Sequence, residues 1–221
     1  MRKKCQIISL GANCMVRSIL TRHGIKPTKA QGELSYPFDL AVHPISCVIK
    51  ALENNFATYF ENLYFESNRR HIFDFSKKRD VWKNNEGMCF NHDTDCGVND
   101  FEKLKTRFLS RIENFNKTLD SGTPILFVIY IKDEESRKYV NRLYDLLQLR
   151  LRGGSFLLAV IDLNGIVNNY FYPQIKVLNL PKPCENYFDT WYRSKFRKSD
   201  LGKYSEKCIC EFVQNIIDNE F

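Results

Sequence analysis

The sequence predicts an α/β protein in which a mainly parallel sheet is flanked by helices. Two of its apolar stretches, PILFVIYI (124–131) and SFLLAVIDL (155–163), are continuous runs with little alternation of apolar and polar residues. Strands that are buried on both faces have this composition, as in parallel sheets covered by helices. Helical patterns lie between the apolar stretches, and this alternation is typical of α/β architecture.

The other elements follow from the same kinds of pattern. In the longer helical segments, apolar residues recur along one face, and glycines end the two segments in the middle of the chain. The segment 57–99 is aromatic and polar with weak periodicity, so we expect short elements and loops that cover a site there. The remaining predicted elements, in chain order, are a strand over CQIISL (5–10), helices over 14–23, 43–56, 100–122 and 133–154, a strand over IKVLNL (175–180) and a helix over 206–218.

Length and composition favour a single domain over residues 1–221. Apolar residues make up 43% and charged residues 27%, the balance of a globular protein with its own core. The apolar run near the N-terminus is soon broken by Asn13 and Arg17, which argues against a signal peptide, and no stretch is long enough to cross a bilayer. We therefore expect a cytoplasmic protein without a membrane span.

Charge and cysteine content argue against two other classes. The net charge is +7, and YRSKFRK (192–198) alternates aromatic and basic residues, but a solvated surface explains this better than nucleic-acid binding. Eight cysteines are scattered without a secretion signal, so we expect reduced thiols. The close pair Cys208 and Cys210 has a spacing that zinc sites do not use, and we expect no metal site.

The stretch IISLGANC (7–14) places a cysteine where a strand runs into a helix. Gly11 permits a tight turn, and a helix N-terminus favours the thiolate through its dipole and its free backbone N–H groups. Backbone amides near Asn13 and Cys14 could stabilise a developing oxyanion. Cys14 is therefore a candidate nucleophile, and the alternative is a small buried structural thiol.

His92, in CFNHDTD (89–95), is the candidate base. A thiol nucleophile needs a base, usually a neutral imidazole, and that base needs an orienting carboxylate or amide. Asp93 follows His92 directly, and Asp39 stands on the constrained backbone of YPFDL (36–40). Either aspartate could orient the imidazole. The alternatives are a loop histidine without a partner and a turn aspartate that caps the next helix.

The other polar candidates fit this chemistry less well. His23 ends the first helix, His43 precedes Pro44 in an expected turn, and His71 follows two arginines in an expected surface loop. Asp162 lies at the end of a buried strand, at the edge where sites form in α/β sheets.

Three motifs in order, SLGANC (9–14), PFDL (37–40) and FNHD (90–93), carry a resemblance to a known family. The chain resembles a bacterial and viral family of unknown function whose members are described as papain-like cysteine peptidases. The resemblance covers roughly the first 165 residues. It departs at Leu40, where the family has an aromatic residue, and at the end of the strand ILFVIYI (125–131), where a basic residue is absent.

This resemblance implies roles for single residues and an alternative fold. Cys14 matches the family's proposed nucleophile, His92 its proposed base, and Asp39 and Asp93 its motif acids. The papain-like label implies an α+β fold with an antiparallel sheet, whereas the strand–helix alternation favours the parallel α/β sheet. A weaker resemblance of LGANC (10–14) to a capsular-polysaccharide acetyltransferase family implies coenzyme A as an alternative cofactor, bound at a helix N-terminus.

The sequence thus predicts a cysteine-dependent hydrolase that uses Cys14, His92 and an orienting aspartate, without a resident cofactor. Two alternatives stay open: coenzyme A-dependent acyl transfer to a sugar or polysaccharide precursor, and a non-enzymatic binding module in which the aromatic segment 56–75 contacts a partner. The substrate, whether a peptide, an acyl ester or a polysaccharide precursor, is left open.

Overall fold

A four-stranded parallel sheet lies at the centre of the structure, a computed structural model that describes residues 5–70, 78–131, 133–164, 170–181 and 197–221. A separate antiparallel hairpin accompanies it. The sheet strands in spatial order are Gln6–Ser9 (β1), Ile125–Ile131 (β4), Phe156–Asp162 (β5) and Ile175–Asn179 (β6), and the hairpin strands are Tyr64–Arg70 (β2) and Lys78–Lys83 (β3).

Helices lie between strands along the chain, and a further helix follows the last strand. They are Met15–Arg22 (α1), Ile45–Glu53 (α2), Phe101–Leu119 (α3), Glu134–Arg137 (α4), Val140–Leu151 (α5) and Asp200–Glu220 (α6), with a short 3-10 helix at Lys29–Gln31. No helix among the described residues is long and apolar enough to span a membrane.

The sheet confirms the predicted α/β class. Strands β1, β4, β5 and β6 pair in parallel throughout, and every residue of β4 and β5 is buried. Burial on both faces explains why these two strands are continuous apolar runs. A parallel central sheet does not fit the antiparallel papain-like alternative.

Two apolar clusters cover the two faces of the sheet. Alternate side chains of β4 point to opposite faces, so Phe127 joins the cluster formed with α2, α3 and α5, whereas Val128 joins the cluster formed with α1 and α6. Phe108 of α3 packs in the first cluster, and Ile19 of α1 and Val213 of α6 pack in the second. Helices α1 and α3 therefore approach the sheet from opposite sides.

Two predicted helices differ most from their observed extent. The helix predicted over 133–154 is divided into α4 and α5, because the N–H groups of Lys138 and Tyr139 bond to carbonyls three residues earlier, at 3.2 and 3.3 Å, instead of four. The last helix begins before the predicted residue 206, since the Ser199 hydroxyl caps it by accepting from the Gly202 N–H at 3.1 Å. His71, Cys184 and most of the segment 192–198 lie outside the described residues.

Candidate active site

The loop between β1 and α1 continues along the edge of strand β4. The Leu10 N–H donates to the Val128 carbonyl at 2.9 Å, and the Tyr130 N–H reaches the Gly11 carbonyl at 3.4 Å. Gly11 has a φ of +101°, and a Cβ at this position would lie 2.9 Å from the carbonyl oxygen of His43. Glycine is therefore required by both its backbone conformation and its close neighbour. The loop ends at the carboxyl edge of the sheet, where α/β proteins form their sites.

Cys14 occupies the N-cap position of α1. The carbonyl of Cys14 accepts the first helical bond, from the Ser18 N–H at 2.9 Å, and the Asn13 side-chain oxygen accepts from the Met15 N–H at 2.8 Å. Asn13 thus binds one of the free N–H groups of the first turn. The Cys14 side chain is buried at the positive end of the helix dipole, with the residue only 1% exposed.

His92 lies on a loop that Phe90 anchors in the core. The Phe90 N–H donates to the Trp82 carbonyl at 2.9 Å, and the Phe90 ring packs edge-on against Phe108 with centroids 4.6 Å apart. The exposed His92 side chain then reaches back, so that its Nε2 atom lies 3.1 Å from the Sγ atom of Cys14. The structure therefore brings the two main sequence-predicted site residues into direct contact.

Asp93 ties this loop to helix α3. One oxygen of its buried carboxylate accepts from Arg107 at 2.7 Å and from Arg111 at 3.4 Å. Arg107 also forms a two-pronged pair with Asp95, at 2.8 and 2.7 Å, and this pairing holds the pKa of Asp95 well below its usual range. Because Asp93 adjoins His92 in the chain, the arginines of α3 hold the backbone on which the imidazole stands.

Asp39 ties the PFDL turn to the helix that carries Cys14. Its fully buried carboxylate accepts from the Tyr36 N–H at 2.9 Å and forms an ion pair with Arg17, one turn after Cys14 on α1. Burial raises the pKa of Asp39, and the charges of Lys26 and Arg17 oppose that effect.

Lys26 and Glu33 extend this pair into a buried charge network. Their side chains are almost fully buried and lie 2.7 Å apart, and the Lys26 ammonium also donates to the Ile7 carbonyl of β1. Burial lowers the pKa of Lys26, whereas the charges of Asp39 and Glu33 raise it. Two cations and two anions therefore compensate one another beneath the start of α1.

An open cleft of about 570 Å³ lies beside His92. Its wall carries cationic side chains from two parts of the chain, the 3-10 helix and α3. The lining residues are Lys29, Glu33, Leu34, Ser35, Leu40, His92, Asp93, Arg107, Ser110, Arg111 and Asn114.

The other residues that the sequence offered as site candidates make contacts that stabilise the fold. His43, expected in a turn, is fully buried: its backbone pairs with Ala12, and its Nε2 atom lies 2.7 Å from the Tyr59 hydroxyl. Burial lowers the pKa of His43 to about 3. His23 is the C-cap residue of α1, as expected, and Asp162 forms an ion pair with Arg137 at 2.9 Å.

Six charged residues at the site were missing from the sequence candidates. They are Arg17, Lys26, Lys29, Glu33, Arg107 and Arg111. Arg107 and Arg111 stand four positions apart in α3, a spacing that places both on one helix face and could have indicated a cationic surface. The sequence has no comparable signal for the burial of Lys26.

Fold and site together define an α/β protein with a thiol–imidazole contact at the carboxyl edge of a parallel sheet. The chain belongs to the family described as "Putative papain-like cysteine peptidase (DUF1796)", which matches residues 5–163. That range includes Cys14, Asp39, His92 and Asp93. No curated protein and no solved structure matched the chain.

Proposed function

We propose that the protein is a cysteine-dependent hydrolase with Cys14 as nucleophile and His92 as general base and acid. The observation that carries this proposal is the 3.1 Å distance between His92 Nε2 and Cys14 Sγ at the start of a helix. A base within hydrogen-bond reach of a thiol is the geometric requirement for activating it. The family description supports the same chemistry.

The reaction follows from these two groups. His92 takes the thiol proton while Cys14 Sγ bonds to the acyl carbon of an ester or amide. The bond to the leaving group then breaks, and the leaving group takes the proton from His92, which leaves a thioester on Cys14. In the second half, His92 takes a proton from water as the hydroxide adds to the acyl carbon. The thioester bond then breaks, the acid is released, and the Cys14 thiolate takes the proton back from His92.

Neighbouring groups support each step of this proposal. The backbone N–H groups of Asn13 and Cys14 would stabilise the oxyanion, and Gly11 allows the turn that presents them. Asp39 and Asp93 would orient the pair. Their ion pairs support such a role through Arg17 on the cysteine side and through Arg107 and Arg111 on the histidine side. Cys14 is buried, whereas His92 is exposed and lines the cleft, so a substrate in the cleft would approach Sγ from the side of the imidazole.

Acylation by a p-nitrophenyl ester, followed by intact mass and nitrophenol release, tests the proposal. We expect Cys14→Ala and His92→Ala to lower the rate by about 100-fold or more. Cys208→Ala, at a half-buried thiol on α6, is the matched control and keeps the rate. Full activity in Cys14→Ala would exclude the proposal.

Coenzyme A-dependent acyl transfer is the second candidate, and the cationic wall of the cleft favours it. Lys29, Arg107 and Arg111 line the cavity next to His92, and such side chains bind phosphate groups. Calorimetric titration with coenzyme A separates this function from hydrolysis. The absence of heat and of a thermal shift at millimolar ligand would exclude it. In the non-enzymatic alternative Cys14 and His92 would be structural residues, and a large distance between them would have favoured it; their contact supports the enzymatic proposal instead.

A further inference from the structure

Arg111 presents an unpartnered nitrogen beside the candidate active site. Its side chain is 13% exposed, its guanidinium carbon lies 4.3 Å from the centre of the Phe108 ring, and one terminal nitrogen reaches Asp93 at 3.4 Å. The other terminal nitrogen is buried and has no hydrogen-bond partner among the residues that the structure describes. A buried donor on a cationic group is costly without an acceptor, so the guanidinium gains when a small rotation brings this nitrogen to an acceptor in the cleft that the side chain lines.

The carboxylates nearby do not balance the positive charge of this wall. Asp93 is shared between Arg111 and Arg107, and the Arg107 contact is the shorter at 2.7 Å. Glu33, the other acid on the wall, is paired with the buried Lys26 at 2.7 Å. Arg107 is also paired with Asp95, so the three cations Lys29, Arg107 and Arg111 face the two carboxylates Asp93 and Asp95, and this half of the cleft keeps a net positive charge.

We propose that Arg111 is an oxyanion-binding subsite that takes a carboxylate or phosphate group of the substrate, with Lys29 contributing positive charge to the same cleft. The planar guanidinium matches such groups, and stacking on Phe108 holds it in place. Since Arg111 and His92 line one cavity, the subsite would select acyl substrates that carry an anionic group near the carbonyl. This reading of the subsite as a substrate site rests on the proposed function, whereas anion binding itself does not.

Direct titration tests anion binding without any catalytic step. Cys14→Ala protein is titrated calorimetrically at low ionic strength with glutarate and, separately, with inorganic phosphate. We expect at least one anion to bind, with affinity falling about tenfold in Arg111→Gln and far less in Arg111→Lys, which keeps the charge. Glutarate binding alone identifies a carboxylate site, and phosphate binding alone identifies a phosphate site.

Two further variants keep this test decisive. Lys117→Gln removes one charge from an exposed position of the same helix, away from the cleft, and should leave the affinity unchanged. Lys29→Gln changes an exposed cleft residue that the core does not depend on, and should weaken binding severalfold. The proposal would be overturned if Arg111→Gln and Lys29→Gln bound the anion as tightly as the wild type. It would also be overturned if Lys117→Gln lost as much affinity as Arg111→Gln, or if neither anion bound.

Alkylation of Cys14 separates failure of the subsite from failure of the proposed function. Iodoacetate and iodoacetamide have nearly the same size, but only iodoacetate carries a carboxylate. We expect the rate ratio of iodoacetate to iodoacetamide to fall about tenfold in Arg111→Gln, and to be retained in Arg111→Lys and Lys117→Gln. An unchanged ratio with a reactive Cys14 contradicts the subsite alone. A Cys14 that resists both reagents contradicts the proposed function, and the anion titrations then decide the subsite.

Discussion

His92 Nε2 lies 3.1 Å from Cys14 Sγ, although 78 positions separate the two residues in the chain. The cysteine follows the first strand of the sheet, and the histidine lies on a loop that Phe90 anchors against Phe108 of helix α3. Strand pairing on one side and aromatic packing on the other bring the two groups together. The contact is thus a product of the tertiary structure.

Cys14 should be the thiol that iodoacetamide modifies first at pH 6.5. An ordinary thiol, with a pKa of about 8.5, is only about 1% ionised there. Burial raises the pKa of Cys47 and of Cys210 to about 11, so both should be inert. Mass spectrometry of the labelled peptides should place the label on Cys14 and show its loss in His92→Ala. His23→Ala is the matched control, and slow, unselective labelling would contradict an activated thiol.

Asp39→Asn should destabilise the protein by about 3–5 kcal/mol, measured by urea unfolding. The substitution removes one of the two negative charges of the buried network. Glu33 then has to compensate the positive charges of both Arg17 and Lys26. Adding Arg17→Met should cost less than the sum of the single changes, because both partners of one pair are then gone. Glu113→Gln, in an exposed pair on α3, should change stability by less than about 1 kcal/mol. A loss of unfolding free energy in Asp39→Asn that is as small as the loss in Glu113→Gln would argue against a stabilising network.

Stability should fall as the pH falls from about 6.5 towards 3, in part because of His43. Burial lowers the pKa of this residue from 6.5 to about 3, so in that range the unfolded chain binds a proton that the folded protein excludes. Between pH 7 and 4.5 this linkage should remove about 2–3 kcal/mol. His43→Gln should flatten the dependence of unfolding free energy on pH by this amount. Identical slopes in His43→Gln and wild type would refute the assignment.

Gly11→Ala should destabilise the protein more than Gly122→Ala does. Both glycines have a positive φ, +101° and +69°, so alanine is strained at either position. Only at Gly11 would the new Cβ lie within 2.9 Å of a carbonyl oxygen, whereas nothing lies within 4 Å at Gly122. We expect about 1–2 kcal/mol for Gly122→Ala and about 1–3 kcal/mol more for Gly11→Ala by chemical denaturation. Equal losses of unfolding free energy in the two variants would show that the loop moves away from the His43 carbonyl without a measurable energetic cost.

The parallel sheet could be predicted because its central strands are buried on both faces. Strands in that environment consist of apolar residues without a polar alternation, and this pattern is visible in the sequence. The continuous apolar runs of β4 and β5 report that environment directly. Helix ends were less predictable, since the Ser199 cap and the change of hydrogen-bond spacing at Lys138 depend on single contacts.

The charged framework of the candidate site could not be predicted in the same way. Lys26 is typical of a surface residue by type, and its burial follows from contacts with Glu33 and with the Ile7 carbonyl, which the fold brings together. His43 stands before a proline, which favours a turn locally, yet stacking on Tyr59 and pairing with Ala12 place it in the core. Contacts with distant parts of the chain determine whether such residues are buried, and a local sequence pattern does not show these contacts.

The two halves of the thiol–imidazole contact are mounted on parts of the molecule that differ in rigidity. The cysteine loop is hydrogen-bonded to Val128 and Tyr130 of β4, a strand whose amides should be among the slowest to exchange with deuterium. The loop that carries His92 is anchored by the buried residues Phe90 and Asp93, but the His92 side chain itself is exposed and changes conformation at lower cost. Opening and closing of the pair would therefore be a motion of the His92 side chain against a fixed cysteine, and the rate of that motion would set how long the thiol and the imidazole stay in contact.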